Sequence, residues 1–153
     1  MPSINPLSPR RRWLLLASGL AAGLAGVRRV RAAPPGPASA APERRWFEAA
    51  LRLREQALAR GEQPYGAVLL LAGGLVGASA SRVVEKGDAS AHAEREAIRD
   101  AQQRLGRQQL TGSVLVSSSR PCAACEVAAA AAGVSRMWFG AEMNDGGVPG
   151  AGR

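Results

Sequence analysis

The sequence predicts an α/β fold with helices packed on a mixed sheet, and three observations predict it. From Pro42 onward, stretches of helical periodicity alternate with short apolar runs. Glycines at Gly61, Gly73-Gly74 and Gly133 separate these stretches. The resulting order, α-β-β-α-β-α-β, implies an α/β sandwich.

Each element has its own signal. PERRWFEAALRLREQALARG places Trp46, Phe47, Ala50, Leu51, Leu53, Ala57 and Leu58 at helical spacing, with Gly61 as the stop. YGAVLLLAGGLVGASASRVV reads as two strands joined through Ala72-Gly73-Gly74, and EKGDAS as a loop. HAEREAIRDAQQRLG is a second amphipathic helix, with Ser90 placed to cap it. SVLVSSS is a third, buried strand. PCAACEVAAAAAG is an alanine-rich helix with Pro121 in its first turn and Gly133 at its end. SRMWFGA is a fourth strand, and NDGGVPGAGR holds too much glycine to be regular.

Charge is unevenly placed. The 153-residue chain has 20 Lys and Arg against 12 Asp and Glu, a formal net charge of +8. Six arginines (Arg10, Arg11, Arg12, Arg28, Arg29, Arg31) fall in residues 1–40, which hold no acid. The remainder, with 14 basic and 12 acidic residues, is near neutral. That balance argues against a phosphate-tracking surface and so against a nucleic-acid partner.

Residues 1–40 have the layout of an export signal: basic SPRRRW, an apolar run from Trp13 to Val27, then VRRVR and an Ala/Pro-rich stretch. The apolar run is 15 residues, short of the roughly 20 that span a bilayer. Paired arginines before Trp13 and Leu14 resemble a twin-arginine signal, with cleavage after Ala40 or Ala32. The expected domains are therefore a leader over 1–40, a globular domain over 41–147 and a glycine-rich tail over 148–153. A periplasmic or secreted location follows, with no membrane span after cleavage. The twin-arginine route carries folded proteins, so a metal site could fill before export.

The chemistry is concentrated in RPCAACE, which holds the chain's only two cysteines, Cys122 and Cys125. Both lie at the start of a predicted helix, where the backbone dipole favours thiolate. The single histidine, His92, also begins a predicted helix. One imidazole and two thiolates make three ligands for Zn²⁺, with the fourth position left for water. Glu94, two residues beyond His92, supplies a carboxylate able to move a proton there. A thiol redox pair also fits an exported C-x-x-C, but it leaves His92 and Glu94 without a role.

HAE followed by PCAAC resembles the H-x-E…P-C-x-x-C signature of the zinc-dependent cytidine/deoxycytidylate deaminase superfamily. QPYGAVLL is similar to that family's first strand. DASAHAEREAIRDA resembles the helix entry of its guanine, cytosine and tRNA adenosine deaminase branch, and RMWFGA resembles the strand after the metal helix. The likeness runs from about Pro42 to Gly147 and implies a three-layer α/β/α sandwich with a mixed sheet, C-terminally shortened. It implies that His92, Cys122 and Cys125 hold Zn²⁺ and that Glu94 shuttles a proton. The backbone around Ala67 and Ala93 would line the base pocket, and Ser81 would contact the base where that branch usually has asparagine. Arg120 stands where the branch usually has glutamate.

The implied reaction is hydrolytic deamination of a small nucleobase or nucleoside, guanine- or cytosine-like. Water attacks an amidine carbon, a tetrahedral centre forms and ammonia leaves. Pairing through the metal-bearing helices implies a homodimer. The alternative is a catalytically inactive domain of the same fold that binds zinc or a base.

Overall fold

The computed structural model describes residues 40–150. The expected leader, apart from Ala40, and the last three residues of the expected tail lie outside the described residues. The elements are α1 (Arg44–Ala59), β1 (Gly66–Leu71), β2 (Gly74–Ala80), α2 (Val83–Lys86) and α3 (Ala93–Leu105), then β3 (Ser113–Ser117), α4 (Ala123–Ala131), β4 (Arg136–Phe139) and β5 (Asn144–Gly147). The five strands form one sheet in the order β2-β1-β3-β4-β5. β1 runs antiparallel to β2 and β3, β3 and β4 run parallel, and β5 is antiparallel to β4. The sheet is mixed, as the element order predicts.

Helices cover both of its faces, which gives three layers. Side chains alternate along a strand, so neighbouring residues serve opposite cores. Ala67 and Leu69 of β1, Leu115 of β3 and Met137 of β4 pack with Ala93, Ala97, Ile98 and Ala101 of α3 and Ala129 of α4. Val68, Leu70, Val116 and Trp138 point the other way, onto Phe47 of α1. This explains why β1 is a near-continuous apolar run: strands covered on both faces have no polar side.

Two glycines set how closely the helices approach. A Cβ on Gly66 would lie 2.3 Å from the Ala50 carbonyl oxygen of α1, and one on Gly77 would lie 2.3 Å from that of Ala97 in α3. Asp100 of α3 also accepts the Ala78 N–H at 2.9 Å, tying the edge strand β2 to the helix.

Several local expectations change. The hairpin loop is Ala72-Gly73, both with positive φ, and Gly74 already belongs to β2. Leu58 is exposed, because the buried stripe of α1 is Phe47, Ala50 and Ala57. Ser90 does not cap α3: its N–H and hydroxyl both donate to the Asp88 carboxylate, at 2.8 and 3.0 Å. Pro121 sits just before the N-cap of α4 rather than within its first turn.

Val83 and Val84, expected at the end of a strand, instead open the one-turn α2. Its Val84 and Glu85 N–H groups donate to the buried Glu62 carboxylate at 3.0 and 2.7 Å, so the acceptor comes from far upstream. The tail is also more ordered than its glycine content suggests. Asn144–Gly147 forms β5, where Arg136 pairs with Asp145 and the Gly147 N–H donates to Asp145 at 2.8 Å. Gly146 lets β5 approach β4, since a Cβ there would sit 3.1 Å from the Met137 oxygen.

Candidate metal centre and active-site cleft

Strand register gathers the site at one end of the sheet. Ala67, near the start of β1, pairs with Ser117 at the end of β3, and Ser117 pairs with Phe139 at the end of β4. Gly66 pairs with Ala80, the last residue of β2. The chain leaves β2 there and returns as His92, the N-cap of α3; it leaves β3 there and enters α4 through its N-cap, Cys122. Open α/β sheets commonly present their ligand sites at strand C-termini of this kind.

His92, Cys122 and Cys125 meet at this end although 30 residues separate the first two. His92 Nδ1 lies 3.6 Å from Cys122 Sγ and 3.4 Å from Cys125 Sγ, and all three ligand atoms fall within 4.8 Å of one another. Tetrahedral zinc, with bonds of about 2.0 Å to nitrogen and 2.3 Å to sulfur, places those atoms roughly 3.5 Å apart. The donor set and its spacing therefore fit zinc. Both cysteines are free thiols, Cys122 exposed and Cys125 buried.

Glu94 stands beside this triad. Its carboxylate is 5% exposed and receives the Cys125 Sγ–H at 3.6 Å. Burial raises its pKa above the usual carboxylate value, with the hydrogen bonds from its own N–H and from Cys125 opposing. Burial likewise pushes the Cys125 thiol well up, reinforced by the negative charges of Glu94 and Cys122. Two sulfurs and a carboxylate this close repel as anions, and a divalent cation between them offsets that repulsion.

A cleft of about 410 Å³ opens here, lined by Gln63, Tyr65, His92, Glu94, Ser119, Arg120 and Cys122. The structure thus brings together the four residues expected for zinc and proton transfer. Of the expected base contacts, Ala67 lies at the same end of the sheet and Ala93 lies between His92 and Glu94; Ala67, Ser81 and Ala93 are each fully buried, and none is among the residues lining this cleft. Ser81 donates its N–H to the Tyr65 backbone carbonyl at 2.9 Å, and its buried hydroxyl has no partner.

Gln63, Tyr65 and Ser119 line the cleft without any chemical signature in the sequence. Their signal was topological, because the residues before β1 must flank the residues after β3 once those strands pair antiparallel. Among the described residues no helix is long and apolar enough to cross a membrane.

Comparison with known proteins agrees with this geometry. Residues 41–141 match the model of the cytidine and deoxycytidylate deaminase zinc-binding region. A tRNA-specific adenosine deaminase of Agrobacterium fabrum is 38% identical over 103 residues, covering 67% of this chain and 68% of that protein. A guanine deaminase of Bacillus subtilis is 35% identical over 82 residues, about half of each chain.

Among solved structures, one from a study of A-to-I editing by tRNA:A34 deaminases superposes with a TM-score of 0.61 at 37% identity, covering 62% of this chain and 73% of its own. The Bacillus subtilis guanine deaminase structure gives 0.60 at 30% identity, covering 62% and 61%. Matched over most of its described length, and with the histidine and both cysteines drawn together, the chain belongs to the zinc-type cytidine and deoxycytidylate deaminase family.

Proposed function

We propose that the protein is an exported, zinc-dependent hydrolytic deaminase of a small nucleobase or nucleoside, guanine- or cytosine-like. The observation that carries this reading is the buried Glu94 carboxylate beside three convergent ligand atoms, open to a cleft of ligand size. His92, Cys122 and Cys125 hold the metal. When bound, zinc supplies a water activated near neutral pH and positive charge at the reacting carbon. Hydrolysis forms a C–O bond at the amidine carbon, breaks its exocyclic C–N bond and releases ammonia. Glu94 takes the proton from the water and delivers it to the departing nitrogen. Its burial favours that role, since a raised pKa lets the carboxyl hold a proton nearer neutrality. Tyr65 presents a ring at the cleft wall on which a base can stack.

Ammonia release from a panel of bases and nucleosides, with zinc-loaded protein, tests the reading. Glu94→Gln should cut turnover by roughly 10²–10⁴-fold while zinc content stays at one per chain. Undiminished turnover would remove Glu94 from the mechanism. A second reading, a domain that binds zinc or a base without turnover, is favoured by Ser81, whose fully buried hydroxyl has no partner and does not line the cleft. It requires base binding without ammonia release, equal in the wild type and Glu94→Gln.

The relatives named for tRNA open RNA as a source of the base, which near-neutral charge argues against. Export rests on the arginine pair and the apolar run of residues 1–40. Replacing Arg10 and Arg11 with lysine should abolish periplasmic delivery of the full chain, and unchanged delivery removes this part of the proposal.

A further inference from the structure

Two buried carboxylates outside the metal site, Glu62 and Glu96, hold the same one-turn helix, α2, from two different elements. Glu62 is 8% exposed, and among the described residues it forms no ion pair. Its two oxygens accept the Val84 and Glu85 N–H groups instead, at 3.0 and 2.7 Å. Arg82, the N-cap of α2, makes no side-chain bond to the helix, so the cap comes from Glu62. Burying a carboxylate is costly unless hydrogen bonds replace its hydration, and a short polar residue at the N-cap would serve α2 without that cost.

What the long-range bond adds is position. Glu62 directly precedes Gln63 and Tyr65, which line the cleft. α2 is tied in turn to the wall that carries the metal ligands. The Arg82 N–H donates to the Ala91 carbonyl at 3.0 Å, next to His92, and the Lys86 ammonium donates to the Glu96 carboxylate of α3 at 2.6 Å. One path of hydrogen bonds therefore runs from the Tyr65 segment through α2 to the helix that His92 caps and on which Glu94 sits.

We infer that Glu62 is a positioning residue: through α2 it holds the Gln63–Tyr65 wall of the cleft in place against the metal wall, and so sets the affinity for the base. The inference rests on the deaminase reading only for what occupies the cleft.

The chain has one tyrosine and one histidine, so each wall carries its own reporter, Tyr65 on one and His92 on the other. The test uses the full chain, zinc-loaded and labelled with 3-fluorotyrosine, as wild type, Glu62→Ala and Glu62→Gln. Glu62→Ala should shift or broaden the single fluorine resonance. It should also weaken binding of the best-bound among cytosine, guanine, cytidine and guanosine roughly tenfold, because apparent affinity falls with the fraction of molecules whose wall is in place. Where ammonia is released, KM should rise by that factor with kcat nearly unchanged. Zinc affinity and the nitrogen signals of the His92 ring should match the wild type, since the bonds from α2 to Ala91 and Glu96 remain. Glu62→Gln keeps one acceptor oxygen and should recover part of both losses. Asp100→Asn is the control: that carboxylate also accepts a distant N–H, from Ala78 at 2.9 Å, but does not line the cleft. It should leave the Tyr65 signal and the binding unchanged.

An unmoved Tyr65 signal in Glu62→Ala overturns the inference. So does a change that reaches the His92 signals equally, or one that Asp100→Asn reproduces, because Glu62 would then serve general stability. If Glu62→Ala does not fold, Glu62→Gln decides by the same readings. Absence of base binding and of ammonia in the wild type sinks the deaminase reading, while the Tyr65 and His92 signals still decide whether Glu62 positions the wall. Ammonia release with an unmoved Tyr65 signal does the reverse.

Discussion

His92 and Cys122 hold equivalent places, the N-caps of α3 and α4, each on extended backbone with φ −64°, ψ 152° and φ −76°, ψ 165°. Neither makes the side-chain bond to the helix that Ser, Thr, Asp or Asn would make there. Each helix therefore forgoes about 1 kcal/mol of capping so that a ring nitrogen and a sulfur can face each other. Cys122→Ser separates the two roles. In metal-free protein the new hydroxyl should cap α4 and raise unfolding stability by about 0.5–1 kcal/mol, read from urea denaturation in the presence of a chelator. Zinc affinity, read by competition with a chromophoric chelator, should fall at least 100-fold. A stability loss in the metal-free state would show that Cys122 serves packing instead. The triad itself was legible in the sequence because the chain has one histidine and two cysteines, leaving no choice of partners. Tyr65 and Gln63 were not legible, since only strand pairing places them at the cleft.

At the scale of elements, the helices lie where small residues allow them to. Gly77 faces α3 across a gap in which a Cβ would meet the Ala97 oxygen at 2.3 Å and the Ala101 Cβ at 2.8 Å. Backbone cannot yield as a flexible side-chain tip can. Gly77→Ala should therefore destabilise by about 3 kcal/mol, measured by thermal or urea unfolding. It should also weaken zinc binding, because α3 carries His92 at its N-terminus. Gly61→Ala makes a control for the backbone contribution: its φ is +74° but no atom lies within 4 Å of its Cβ, so its cost should be nearer 1 kcal/mol. Equal costs at the two sites would show that close packing is not what Gly77 provides. The long elements were readable from periodicity, whereas α2 and β5 were not. α2 depends on Glu62, 22 residues before Val84, and β5 depends on Asp145 meeting Arg136 from the neighbouring strand. Neither pairing leaves a local pattern, and glycines that permit close approach look the same in sequence as glycines that break structure.

At the scale of the molecule, one end of the sheet carries the chemistry and the layers behind it carry the stability. α3 and α4 share a core through Ala97, Ile98, Ala129 and Ala132, but their N-termini meet chiefly through His92, Cys122 and Cys125. A metal at that junction joins two helices that follow different strands, so its binding free energy becomes folding free energy. A ligand at a thousand times its dissociation constant adds about 4 kcal/mol. For a domain of this size, each kcal/mol moves the melting temperature by several degrees. Stripping zinc with a chelator should thus lower the melting temperature of the wild-type protein by roughly ten degrees or more. Readdition should restore it in proportion to the logarithm of free zinc. The Cys122→Ser protein, with its weakened site, should gain less than half of the wild-type rise in melting temperature at the same zinc concentration. If the wild type melts unchanged, the three ligand atoms do not grip a cation strongly enough to order the fold, and zinc has no structural share in this domain.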